Sequence, residues 1–178
     1  MNAFAEKIVA RRLTAKHYLT IGGISLAVPV VFVLLLSIPF ISDIVMSMAL
    51  VVIIGLIYGA YLLIRSMLLE YEYTVTNGDI DIDVIIAKSR RKRIFSINSN
   101  EIEIIARYQG NFYPAGLDKL KTSVKSVSAM EDEGIYFIKG SHKGQAVAAF
   151  FQPDEKILDI LKMSIPSKVY KEDIRIQG

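Results

Sequence analysis

The chain has 178 residues, 52% of them hydrophobic, with 21 Lys and Arg against 18 Asp and Glu and a formal charge of +3. It contains no cysteine, which excludes disulfides, thiolate metal sites and cysteine nucleophiles together. The apolar excess fits a small membrane protein rather than a soluble enzyme, with room outside its apolar runs for one compact domain of about 100 residues.

Residues 1–17 carry Lys7, Arg11, Arg12 and Lys16, and their apolar members (Phe4, Ile8, Val9 and Leu13) form no clean stripe. They are expected to be a basic cytoplasmic leader, either a short helix on the inner leaflet or a frayed segment. Two apolar runs follow, Tyr18 to Ile41 and Ile44 to Ile64, separated only by Ser42 and Asp43. Each is slightly over about 20 residues, enough at ~1.5 Å per residue to cross a hydrocarbon core of roughly 30 Å. Residues 18–64 are thus predicted to form a two-helix transmembrane hairpin. Pro29 and Pro39 should bend its first helix. Gly55 and Gly59 give the second a small-residue face, suited either to a homodimer or to packing the two helices of one chain.

Lys and Arg cluster before the first run and at Arg65 after the second, and none lies between, so both termini are expected in the cytoplasm. A signal peptide fits poorly, because the first run is too long for an h-region and no small-residue cleavage site follows. Arg11-Arg12 is likewise a poor twin-arginine export match.

From residue 65 the period changes to two, and residues 65–166 read as one domain. Leu69–Thr76 and Asp79–Val84 flank Asn77-Gly78, a turn signal that pairs Thr76 with Asp79, Tyr73 with Ile82 and Tyr71 with Val84. That register puts the apolar residues on one face and Glu72, Thr74, Asp81 and Asp83 on the other. Five further strands are predicted at Arg93–Asn98, Ile102–Arg107, Val124–Ala129, Ile135–Lys139 and Ala146–Gln152, separated by turn residues. A helix then runs between Pro153 and Pro166, with Pro153 in its first turn and Ile157, Leu158, Ile160, Leu161 and Ile165 on one face. Residues 167–178 read as a loose polar tail.

Seven short antiparallel strands capped by one amphipathic helix resemble a pleckstrin-homology (PH)-like barrel or sandwich. Tyr71–Asp83 is similar to the opening strands of bacterial membrane-attached PH-like domains, and Phe151–Lys162 to their last strand and helix. The run Lys88 to Arg93 resembles a small family of Gram-positive bacterial proteins with two spans followed by this domain. The resemblance implies a fold and a membrane context rather than an activity. Lipid-binding PH domains of eukaryotes use a long basic loop between their first two strands. Taking Asn77-Gly78 as that loop, phosphoinositide recognition of that style is not expected.

Lys88, Arg90, Arg91, Lys92 and Arg93 form the densest charge run. Continuing the hairpin pairing puts Lys88 near Met67 and Arg90 near Arg65, where the five cations would meet anionic head groups of the inner leaflet, at ~1 kcal/mol each. Nucleic-acid binding would need a broad basic face with stacking aromatics, whereas Phe95, Tyr108, Phe112 and Tyr113 read as packing residues. Strand edges and the loop carrying Tyr108, Phe112 and Tyr113 are the expected protein-partner surface.

No metal or cofactor is expected. His17 and His142 lack ligand-spaced neighbours, and Asp79, Asp81 and Asp83 stand nearly 7 Å apart along a strand, too far to wrap one ion. No phosphate-cradling loop, nucleophile elbow or acid–base constellation can be assembled. The expected function is a non-enzymatic, membrane-anchored PH-like module in a bacterial cell membrane, engaging anionic lipid, a protein partner or a second copy. The alternative is an accessory subunit of a larger transporter-type membrane complex.

Overall fold

The computed structural model describes residues 3–37 and 43–170. It divides into two compact units, one of helices from Arg12 to Leu68, the other of sheets formed by the residues up to Arg11 and those from Leu69 onward.

The helical unit holds α1 (Ala15–Leu36) and α2 (Asp43–Met67), both long and apolar enough to cross a membrane. Large side chains such as Leu19, Leu26, Val51 and Ile54 lie open, as in helices that are apolar all round and have no protein core to enter. Pro29 falls inside α1, while Pro39 and Ser42 lie outside the described residues. Arg65, in the last turn of α2, sits 6.0 Å from the Tyr61 ring.

The sheet unit begins earlier than the sequence suggests. Residues expected to be a leader form strand β1 (Phe4–Ala10), which pairs antiparallel with β2 (Leu69–Thr76) from Phe4 opposite Thr76 to Ala10 opposite Glu70. Beyond the last pair, the Arg11 N–H donates to the Leu69 carbonyl at 2.9 Å. β1 is cryptic because its faces are mixed. Ala5 is buried on the inner face, but the half-buried Lys7 shares that face and its Nζ donates to the Gln152 carbonyl at 2.8 Å. Phe4 and Ile8 point outward and remain half exposed. The two apolar helices are therefore inserted between neighbouring, hydrogen-bonded strands.

β2 continues into β3 (Asp79–Ile86) through Asn77 and Gly78, both at positive φ (52° and 92°), and the register is the one the turn dictates. β3 then reverses over Ala87–Ser89 into β4 (Arg90–Ile97), with Ala87 and Lys88 both left-handed. This corrects the expected position of the basic run. Arg90 lies opposite Ile86, not alongside Arg65, because the chain folds back before passing Leu69.

The second sheet has the order β6-β8-β7-β5-β9, made from β5 (Ile102–Arg107), β6 (Ser123–Lys125), β7 (Tyr136–His142), β8 (Gln145–Phe151) and β9 (Val169–Tyr170). Two features depart from the expected all-antiparallel array. β6 is shorter than expected and runs parallel to β8. Val169 and Tyr170, expected in a loose tail, pair in parallel with β5 and bury Val169; residues 171–178 lie outside the described residues.

The two sheets share a core in which Tyr73, Ile80, Ile82 and Ile97 meet Ile105, Ile138 and Phe151. Helix α3 (Glu155–Ser164) closes it with Ile157, Leu158, Ile160 and Leu161. Its N-cap is Asp154, whose side chain accepts the Ile157 N–H at 2.8 Å, so Pro153 precedes the helix instead of standing in its first turn. Gly140 allows the close crossing of β7 over the β4–β5 corner. A Cβ there would stand 2.5 Å from the Glu101 carbonyl oxygen and 2.6 Å from Ile97 Cδ1.

Candidate functional site: the basic strand and its acidic neighbours

The outward residues of β2 and β3 are acidic because the hairpin register puts Glu70, Glu72, Asp81 and Asp83 on one face. β4 brings the basic run directly beside them. Arg93 Nη1 reaches Asp81 Oδ2 at 2.7 Å while its Nε donates to Asp83 Oδ1 at 2.7 Å, a fork across two carboxylates. Ser96 Oγ adds a hydrogen bond to Asp81 at 2.6 Å, and Asp79 accepts the Ser99 N–H at 2.7 Å. The three alternating aspartates are thus each engaged by a donor.

Arg91 Nη2 lies 2.9 Å from Oε1 of Glu72, which is only 1% exposed although it sits on the outer face of its sheet. Neither Glu72 oxygen has a well-aligned hydrogen bond. Burial above all, and then the neighbouring Glu6 carboxyl, push the Glu72 pKa upward against the pull of Arg91. A carboxyl whose pKa is higher folded than unfolded binds its proton more tightly in the folded state. Its contribution to stability is therefore present at acid pH and lost as pH rises through the raised value. Glu72→Gln should flatten this fall as pH rises above the ordinary carboxylate range, measured as urea midpoints across a pH series. An unchanged pH profile would mean that Glu72 is hydrated.

The five residues expected to touch lipid therefore divide. Arg91 and Arg93 are committed to carboxylates of the sheet. Lys88, at the turn, is 83% exposed and only 4.0 Å from Glu70 Oε1, a solvated contact worth little. Arg90 and Lys92 are exposed and, among the described residues, make no ion pair within 4 Å. The pairing was legible in principle, since an alternating Asp strand followed by a basic strand predicts cross-strand pairs once the β3–β4 turn is placed.

The other predicted residues are placed as follows. A Cβ on Gly55 or Gly59 would meet nothing within 4 Å, so these glycines do not mediate close approach of α1 to α2. They instead line an apolar groove of about 310 Å³ with Ile24, Ala27, Val28 and Val31. Tyr108 and Tyr113 pack edge-on against each other at 5.0 Å and against Phe150 and Phe137 in a second core cluster. Phe112 is 47% exposed and leans on the Tyr170 ring of β9 at 4.5 Å, so Phe112 is the open aromatic of that loop. His142, expected to be a surface residue, has Nδ1 3.0 Å from Glu101 Oε1, and this contact holds the Glu101 carboxyl below its usual range.

A four-stranded sheet packed on a second sheet and closed by a C-terminal helix is consistent with a PH-like fold. The bacterial PH-like domain family (DUF6106) matches the chain over residues 1–171. The chain belongs to this family. The match takes in β1 and both apolar helices, so the PH-like unit begins ahead of the helices instead of after them. Asn77-Gly78 consequently joins the second and third strands of this PH-like protein, and the link between its first two strands is the whole helical hairpin. The tight-turn argument against lipid recognition does not apply to that link. No curated protein and no solved structure matches the chain.

Proposed function

We propose that this PH-like protein is a non-enzymatic module anchored in a bacterial cell membrane by α1 and α2, with its sheets and both termini in the cytoplasm. The observation that carries the reading is the insertion of two span-length apolar helices between hydrogen-bonded β1 and β2. The chain leaves the sheet at Arg11 and returns at Leu69, and the Ala87–Ser89 turn lies at that same end of the sheet, two strands away. Lys88, Arg90 and Lys92 are the cations of the sheet unit that meet anionic lipid, at ~1 kcal/mol each.

Because the native chain has no cysteine, Lys88→Cys provides a unique thiol. It should react with a membrane-impermeant maleimide only after the cells are permeabilised, and labelling in intact cells would refute the orientation. In nanodiscs, raising the anionic lipid fraction should slow labelling of this thiol.

The open groove at Gly55 and Gly59 favours a second reading, in which the helices pack against another span, from a second copy or from a larger complex. Native mass measurement after gentle extraction tests it. A strictly monomeric species would remove this reading.

A further inference from the structure

β4 is an edge strand, paired only with β3, and β6 is the edge of the other sheet, paired only with β8. Between them runs an open groove of about 480 Å³, lined by Arg93–Ser96 of β4 and by Lys121–Val124 at β6, together with His142 and Val147. Two hydrogen-bonding strand edges thus border one cleft. A volume of this order is typical of ligand sites.

Charge sets the kind of occupant. Residues 88–97 and 119–126, which form the two walls and their flanks, contain no Asp or Glu. Arg93 is held by Asp81 and Asp83, and Arg91 by Glu72. Lys119, Lys121 and Lys125, on the β6 side, are exposed and make no ion pair among the described residues, whereas Arg90 and Lys92 are the cations assigned above to the head groups. Such an edge repels another copy of itself, which disfavours self-pairing through β4. The Ser123 Oγ is buried without a hydrogen-bond partner, and Thr122 Oγ1 beside it donates to the Ala146 carbonyl. The groove is shallow and open along its length, so one extended chain can lie in it and offer backbone groups and side chains together.

We infer that the β4–β6 groove binds an extended, acidic segment of a partner protein, added as a strand against β4. Backbone hydrogen bonds to the free edge supply affinity. Carboxylates at alternate positions of the segment project to one side and meet the free cations, which supplies selectivity. This goes beyond the membrane-anchor reading and does not depend on the orientation proposed there.

The test uses the full chain in nanodiscs of neutral phosphatidylcholine. The probe is a short fluorescein-labelled peptide of alternating glutamate and threonine, followed by anisotropy. Saturable binding is expected, with a lysine–threonine peptide inactive and a version N-methylated at alternate residues much weaker. Lys121→Glu combined with Lys125→Glu should weaken binding about ten-fold or more. Both side chains are exposed, so the variant is expected to fold, and an unchanged melting curve verifies it. Hydrogen exchange at Ile94 and Ser96 should slow when the peptide binds. Absence of binding, equal binding of the N-methylated peptide, or indifference to the lysine reversals would each overturn the inference. Displacement of the peptide by phosphatidylglycerol vesicles would reassign the surface to lipid and overturn it equally.

Discussion

Ala5→Glu should destabilise the sheet unit by about 3 kcal/mol or more, because it forces a carboxyl into a fully enclosed position in the shared core. Ala5 is 1% exposed and belongs to the same core cluster as Tyr73 and Ile157. Phe4→Glu, one residue earlier on the half-exposed outer face, should change stability by less than about 0.5 kcal/mol. The contrast between adjacent positions follows from the period of a strand, in which successive side chains point to opposite faces. A leader would be indifferent to both substitutions. Urea unfolding of the full chain in detergent, followed by the tyrosine near-ultraviolet signal, measures both. Equal small effects at the two positions would show that β1 does not form.

Tyr73→Ala should cost about 3–5 kcal/mol, the range for removing a large side chain from a packed core. Tyr73 is fully buried, stands edge-on to Phe151 at 5.7 Å, and donates its hydroxyl to the Ser126 carbonyl, linking the two sheets. Ser126 is itself fixed by its N–H and Oγ, both donating to the Phe150 carbonyl. Tyr73→Phe keeps the ring but removes that hydroxyl's donation, at a cost of about 1–3 kcal/mol. Burial also pushes the Tyr73 pKa upward. The folded state then holds this proton more tightly than the unfolded state, so stability falls as pH rises above the ordinary tyrosine value of about 10. Tyr73→Phe should remove that alkaline loss. If the wild-type and Phe chains lose stability in parallel above that pH, the hydroxyl is not buried between the sheets.

The basic run shows why a charge pattern alone misleads. Five cations in six residues suggest a surface for an external anion, and the cross-strand pairs emerge only once the β3–β4 turn is placed. Two of the five turn out to have internal partners, Arg93 with Asp81 and Asp83 of the neighbouring strand and Arg91 with Glu72 one strand further. Likewise Tyr108 and Tyr113 read equally well as core or as a binding surface. The packing of Phe137 and Phe150 against them makes them part of the second cluster.

Elements whose causes are local were determined by the sequence itself. The Asn77-Gly78 hairpin needs only two residues tolerant of positive φ and an apolar alternation that agrees with them. The two long helices need only uninterrupted apolar length, and α3 only an acidic cap and one apolar face. Tertiary structure decided whatever depends on a distant partner. β1 has no alternation of its own, with Lys7 pointing inward and Ile8 outward, and it becomes a strand because β2 offers it a hydrogen-bonding edge across the whole helical insertion. β9 pairs with β5 for the same reason. The groove between β4 and β6 exists only because the two sheets leave those edges unpaired. Backbone pairing across long sequence separations carries no local signature, because its stabilisation resides in the assembled sheet.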